Sequence, residues 1–384
     1  MAEKERIIKD FLELSAIDSV SFKEREFADV LKQKLELLGI KAHEDSVSEE
    51  IGSNAGNVYA FWKGEENLPT ILLSAHMDTV EPGIGKKAIY DSEKGILRSD
   101  GTTVLGADDI AGITEILEAI RQIQESGRKH KSVELIFPVA EEVYTKGSSA
   151  FDYSRLSAKE AYCLDLSGHV GAAAIKAPTL ISFRITIHGK ASHAGFAPEK
   201  GVNAIEIAAK AIAGIKQGQV DEDSTLNIGT IKGGTATNIV SEEVKIEGEI
   251  RSFKHESALK LLEDTKFKFE EEAIRLGAGI TGIDFKSEIH LIAYERNEDE
   301  EVVKNFRMAA KKTGIEPKLI STMGGADNHQ FNKNGIKGIV LSCGMQNVHT
   351  TEEYIEIADL EAGADLVAEL ISANRNEELR GNPF

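Results

Sequence analysis

Short apolar runs alternate with amphipathic helical stretches from the start of the chain to about Ile175; the rhythm then stops and resumes near Asn297. Such a rhythm specifies an α/β domain with a mostly parallel sheet, because parallel strands are joined by crossovers that helices supply. Thr70–Ser74, Val133–Ala140 and Ala161–Leu166 read as strands. Between the first two, Ile113, Ile116, Leu117 and Ile120 fall on one stripe of a helix at Ile110–Ile123. The resumed stretch reads as a helix to about Lys312, strands at Lys318–Ser321 and Gly338–Leu341, and a last helix around Leu360–Ile371.

The interruption has a different period. Ile181, Phe183, Ile185 and Ile187 alternate with Ser182, Arg184, Thr186 and His188, the mark of a strand with one wet face. A helix (Val202–Ile215), strands near Leu226–Ile231 and Val244–Ile250, a helix from about Ser257 to Leu276 and a strand near Ile283–Ile289 follow. The order β-α-β-β-α-β makes a compact two-layer unit. The expected organisation is a discontinuous α/β domain, 1–176 and 290–384, with an α+β domain inserted at 177–289.

Composition narrows the partners. A formal charge of −19 over 384 residues argues against nucleic acid and anionic membrane surfaces, both of which need a basic footprint. No window approaches a membrane span, and the N-terminus leads through Ile7, Ile8, Phe11, Leu12 and Leu14 at helical spacing rather than into a secretory apolar block, so a cytoplasmic location is expected. Cys163 and Cys343 sit inside apolar runs and read as buried thiols rather than a disulfide.

Within the first domain the apolar runs end in chemistry-bearing residues. Ile71-Leu-Leu-Ser-Ala-His-Met-Asp-Thr79 delivers His76 and Asp78, two residues apart and so on the same face of an extended backbone. An imidazole backed by an acid suits a metal ligand held in one tautomer, although one such pair equally reads as a polar strand end. Gly106-Ala-Asp-Asp-Ile-Ala-Gly112 sets Asp108 and Asp109 at the start of a helix, where an acid is equally an N-cap. Glu141 and Glu142, in Val139-Ala-Glu-Glu-Val143, point to opposite sides of an extended segment, as acids on a solvated edge also do. Asp165 lies in the apolar end of Ala161-Tyr-Cys-Leu-Asp-Leu166, where a carboxylate is costly unless paired or bound to metal. Gly338-Ile-Val-Leu-Ser-Cys-Gly344 is followed by His349.

Sites in open α/β sheets form past the carboxyl ends of the strands, and all of these residues lie at such ends. Two histidines and several carboxylates without a ligand cysteine suit zinc, with manganese or cobalt as substitutes. One closed site cannot use so many carboxylates. Two cations about 3.5–4 Å apart, bridged by one carboxylate and sharing an activated water, would use them all.

Ser74-Ala-His-Met-Asp-Thr-Val80, Gly106-Ala-Asp-Asp-Ile-Ala-Gly112, Glu141-Glu142, Asp165 and Val348-His349-Thr350 resemble, in order and across nearly the whole chain, the motifs of one di-zinc metallopeptidase family. That family includes peptidase T, glutamate carboxypeptidase, aminoacylase and succinyl-diaminopimelate desuccinylase. The resemblance implies a zinc-exopeptidase-like catalytic domain with an inserted lid that mediates homodimerisation. It implies His76, Asp108 and Asp165 on one zinc, and Asp108, Glu142 and His349 on the other. Glu141 would be the general base for a metal-bridged hydroxide and so not a ligand, with Asp78 orienting His76. In the inserted domain, Gly189-Lys-Ala-Ser-His-Ala-Gly195 resembles the segment whose histidine helps polarise the scissile carbonyl, which points to His193, although a histidine in a polar loop also reads as simply exposed. Asn238 and Arg251 match positions that hold substrate, the arginine as a carboxylate clamp; a turn asparagine and a strand-face arginine fit them equally. Gly324-Gly-Ala-Asp-Asn328 resembles a Gly-rich turn near the substrate pocket and equally reads as an ordinary strand-to-helix turn.

The sequence departs from the family in one place: Val143-Tyr-Thr-Lys follows the paired glutamates where many relatives have an early glycine. The combination of Thr102-Thr-Val-Leu-Gly-Ala-Asp-Asp, Phe151-Asp and a compact lid is most similar to peptidase T, implying cleavage of the N-terminal bond of short peptides, tripeptides in particular. Removal of an acyl group from an amino acid, or carboxypeptidase action, uses the same site, since the pocket walls decide the substrate. A metal-binding protein without catalysis is the third possibility, which the presence of Glu141 disfavours.

Overall fold

A computed structural model describes residues 2–279 and 282–373 and divides the chain into two compact units. The first comprises the residues up to Lys176, Glu295–Thr322 and the described residues from Ala326 onward; the second is Ala177–Tyr294 with Met323–Gly325. The second unit runs beyond the expected 289. Strand Ile283–Leu291 keeps its pairing with Thr179–His188 as far as Leu291 opposite Leu180, and the Ala293 N–H donates to Thr179 Oγ1 at 2.9 Å. Met323–Gly325 joins it where the Arg251 guanidinium donates to the Met323 carbonyl at 2.6 Å.

The first unit is built on the elements that the sequence rhythm specifies: β1 (Ile71–Ser74), α1 (Ala107–Ser126), β2 (Val133–Phe137), β3 (Glu160–Leu166), β4 (Lys337–Ser342) and α2 (Ile357–Ile371). The sheet path runs Ala42–Glu44, Val58–Trp62, β2, β1, β3, β4 and Ala172–Ala177, with Lys318–Ser321 beside the last. β2, β1, β3 and β4 are mutually parallel, Ile71 standing opposite Val133 on one side and Glu160 on the other. Their carboxyl ends therefore share one edge. Both faces of this sheet are covered. Ile71 and Leu73 pack with Ile113, Ile116 and Ile120 of α1, while Leu72 packs with Ile136, Ala161, Cys163 and Val340 on the other side. Burial on both faces is why these runs are apolar without alternation.

The glycine closing the α1 motif has a steric reason: a Cβ on Gly112 would lie 2.5 Å from the Leu164 carbonyl oxygen. The helix thus seats directly on β3, and a larger residue would lift the start of α1 off the sheet. The strand expected at Val133–Ala140 stops at Phe137. Pro138 has no N–H to continue the ladder, and Ala140 adopts a left-handed φ of 51°. Cys163 and Cys343 are both buried and free.

A smaller antiparallel sheet joins Met345–Gln346, Tyr354–Glu356, Ile96–Ser99 and Ala88–Asp91, and the turn between its first two strands carries His349. The second unit is an antiparallel sheet ordered Gly218–Gln219, Ser224–Gly233, Glu243–Ser252, Thr179–His188 and Ile283–Leu291. Ile181, Phe183, Ile185 and Ile187 pack against helices Ala204–Ala213 and His255–Arg275, so the alternation marks an inner and an outer face as expected. The strand–helix order also holds, with the short strand Gly218–Gln219 as an addition. Among the described residues no helix is long and apolar enough to cross a membrane.

Candidate metal centre

Past the carboxyl ends of β1, β2 and β3 the chain leaves the sheet in tight turns, and those turns bring the acids and imidazoles together. His76 is buried, its Nδ1 donating to the backbone carbonyl of Asp78 at 2.9 Å. The other ring nitrogen, Nε2, faces the carboxylates, 3.0 Å from Asp108 Oδ1 and 3.9 Å from Asp165 Oδ1. His349 Nε2 lies 3.1 Å from Asp108 Oδ2 and 3.0 Å from Glu142 Oε1. Asp108 therefore meets a different imidazole with each of its oxygens.

Two donor groupings result: His76, Asp108 and Glu142, and His76, Glu141 and Asp165, each with ligand atoms within 4.8 Å of one another. A third, His169, Glu356 and Asp359, is built around a partly exposed ion pair, His169 Nδ1 to Asp359 Oδ2 at 2.7 Å. Asp109 does the capping that its neighbour does not: its Oδ1 accepts the Gly112 N–H at 3.2 Å and its Oδ2 the His76 N–H at 3.1 Å. The N-cap and cluster alternatives are thus divided between Asp109 and Asp108.

The electrostatics of these groups depart from those of ordinary surface acids and imidazoles. Burial, reinforced by neighbouring carboxylates, pushes Glu141, Glu142 and Asp165 above the ordinary carboxylate range. Asp108 moves the other way: burial opposes ionisation, but hydrogen bonds from His349 and His76 outweigh it. His349 is raised to about 10 by its bonds to Asp108 and Glu142. Clustered, desolvated carboxylates facing two imidazoles form a site that divalent cations would neutralise, and the oxygen and nitrogen donors fit zinc, manganese or cobalt.

Asp78 has a larger part than orienting an imidazole. Its Oδ1 lies 3.4 Å from His76 Nδ1, beyond the backbone carbonyl. The carboxylate instead accepts the N–H groups of Glu141 (2.8 Å) and Glu142 (3.2 Å) and the Ser21 hydroxyl (2.7 Å). Buried Glu24 accepts the Ala140 N–H at 3.0 Å, and Asn57 Oδ1 accepts that of Val139 at 3.1 Å. Three side chains thus pin consecutive amides of the turn that presents the paired glutamates. After the paired glutamates, Tyr144 and Thr145 take left-handed φ values of 71° and 53°. Ser21, Glu24 and Asn57 stand in no motif, and nothing in the linear pattern singles them out.

His193, Asn238 and Arg251 belong to the second unit. His193 Nδ1 accepts the N–H groups of Gly195 and Phe196, each at 3.1 Å, and the Ala194 N–H donates to the Asn238 carbonyl at 2.9 Å. Two donors on Nδ1 place the ring proton on Nε2. Arg251 spends its fork on Glu249 at 2.8 and 3.3 Å and on the Met323 carbonyl.

Beside the loop at Gly106, buried Lys86 donates to the carbonyl of Ile17 at 2.7 Å, and desolvation lowers its pKa from 10.5 to about 8. The folded state binds this proton more weakly than the unfolded chain. The penalty is therefore complete below about pH 8 and disappears as pH rises towards 10.5, a difference of about 3 kcal/mol at most. Denaturant unfolding across this window should show wild type gaining stability relative to Lys86→Met; parallel curves would exclude the effect.

Residues 175–276 match the peptidase dimerisation domain of M20 enzymes, residues 57–174 peptidase family M28, and residues 261–366 the M42 glutamyl aminopeptidases. The chain is 38% identical to the uncharacterized protein YqjE of Bacillus subtilis over 97% of its own length and 99% of the relative's. It is similar to the solved structure of aminopeptidase PepT from Bacillus cereus, with 38% identity, 96% and 98% of the two chains covered and a TM-score of 0.90. A tripeptidase structure from Staphylococcus aureus gives 36% identity, 97% and 98% coverage and a TM-score of 0.93. With likeness of this extent, the chain belongs to the peptidase T-like M20 family of metallopeptidases.

Proposed function

We infer that this protein is a dinuclear-metal aminopeptidase that removes the N-terminal residue of short peptides, tripeptides foremost. The observation that carries this is Asp108, whose two oxygens meet His76 and His349 at 3.0 and 3.1 Å, as a bridge between two cations requires. His76, Asp108 and Asp165 would hold one cation and Asp108, Glu142 and His349 the other. When bound, such cations supply Lewis acidity: they lower the pKa of a water towards about 7 and stabilise developing oxyanion charge.

The chain's own groups move the proton. Glu141 lies within reach of the same donor set and is buried, and its raised pKa suits a carboxyl that takes a proton from water and returns it to the leaving amine. Asp78, gripping the amides of Glu141 and Glu142, fixes where that carboxyl stands. His193, with its proton on Nε2, is a donor suited to polarising a carbonyl, and Asn238 lies beside it in the chain pairing. As a carboxylate clamp, Arg251 would first exchange Glu249. The match to a peptidase dimerisation domain supports a homodimer formed through the second unit.

The substrate reading is tested by assaying zinc- or manganese-loaded protein on di-, tri- and N-acylated peptides. Release of the N-terminal residue, fastest from tripeptides, is expected. Cleavage confined to N-acyl substrates would replace the aminopeptidase by a deacylase on the same scaffold.

A further inference from the structure

The loop at Asp108 and the turn at His349 are far apart in sequence, yet their side chains meet within 3.1 Å. One buried group joins the two backbones. Glu353, in the turn that carries His349, is 1% exposed. Its Oε2 accepts the N–H groups of Leu105 and Gly106 at 2.6 and 2.8 Å, and its Oε1 accepts the Asp108 N–H at 3.0 Å. Its own N–H donates to the Thr350 carbonyl at 3.3 Å, and its carbonyl accepts the Ser99 N–H at 3.1 Å. Side chain and main chain of one residue therefore hold both segments.

The Asp108 loop needs such an acceptor. Gly106, just before α1, is left-handed at φ 78°, and Asp108, in its first turn, is extended at φ −81° and ψ 100°, so these amides have no helical partner. Buried N–H groups without acceptors are costly, and a carboxylate with two acceptor oxygens satisfies three of them at once. A glutamine cannot: its single acceptor oxygen would serve one side of the loop and its NH2 would oppose the other.

Resting on the two-cation reading above, we propose that Glu353 is a positioning residue that locks the Asp108 loop to the His349 turn and so sets the affinity for the cation held by Asp108, Glu142 and His349. Glu118 is the control. It is equally buried on α1, and its carboxylate is bonded to Arg6 and the Glu3 N–H away from the site.

Metal-stripped full-length protein is titrated calorimetrically with Zn2+. Wild type takes up two cations per chain, and in Glu353→Gln one of the two binding constants falls by about 10–100-fold. Glu118→Gln loses thermal stability with both constants unchanged. Unaltered constants in Glu353→Gln, or an equal loss in Glu118→Gln, would overturn the positioning role while leaving the two-cation reading intact; fewer than two cations on wild type would overturn both. Should Glu353→Gln fail to fold, hydrogen exchange on metal-free wild type decides: the amides of Leu105, Gly106 and Asp108 are protected if Glu353 holds them, and free exchange there overturns the proposal.

Discussion

Glu141→Gln lowers kcat on a tripeptide by about 10²–10⁴-fold, the usual contribution of a positioned acid–base group, while the purified protein still carries two divalent cations per chain. The second half of that result separates a proton carrier from a ligand. By distance Glu141 falls into one donor grouping with His76 and Asp165, so geometry admits either role. Substitution by glutamine keeps size and position but removes the proton acceptor. Metal content by mass spectrometry alongside kcat therefore discriminates: loss of a cation would make Glu141 a ligand, and full activity would remove it from the reaction.

Exchanging His76 and Asp78 in turn gives the second large contrast. His76→Ala deletes the imidazole whose Nε2 faces Asp108 and Asp165, and after dialysis the protein should hold fewer than two cations per chain with little activity left. Asp78→Asn should retain most of the metal yet lose about 10–100-fold in rate, as is typical when the group behind a ligand is altered. Its rate loss has a second source. The carboxylate accepts from Glu141, Glu142 and Ser21, and the NH2 of an asparagine would face one of those donors. An unsatisfied buried N–H costs about 1–3 kcal/mol, so thermal unfolding should fall as well. Metal loss in Asp78→Asn equal to that in His76→Ala would make Asp78 a ligand.

The sheet and its site edge were legible because they follow from periodicity. Continuous apolar runs such as Ile71–Leu73 and Val133–Phe137 require cover on both faces, and Ile181 to Ile187 require cover on one. His76, Asp108, Glu142 and His349 could be picked out since each stands where an apolar run gives way to chemistry. The supports were hidden for the opposite reason. Glu24, Asn57 and Glu353 act through backbone amides supplied by remote segments, and a single acid or amide in a loop is indistinguishable from a solvated one until those amides arrive. The strand end at Phe137 shows the same limit. The apolar content of Val139 and Ala140 extended the pattern past Pro138, whereas the chain had already turned to present Glu141.

The first unit is interrupted between Lys176 and Glu295, and this has a consequence for how the protein is made. During translation Asp108, Glu141, Glu142 and Asp165 emerge early, but β4 and His349 emerge only after the whole inserted unit. Until then β3 lacks its outer neighbour and Asp108 lacks one of its two imidazoles. A chain stopped before that point thus holds only part of the candidate donor cluster. The order of the chain therefore ties completion of this cluster to the segment that follows the inserted unit.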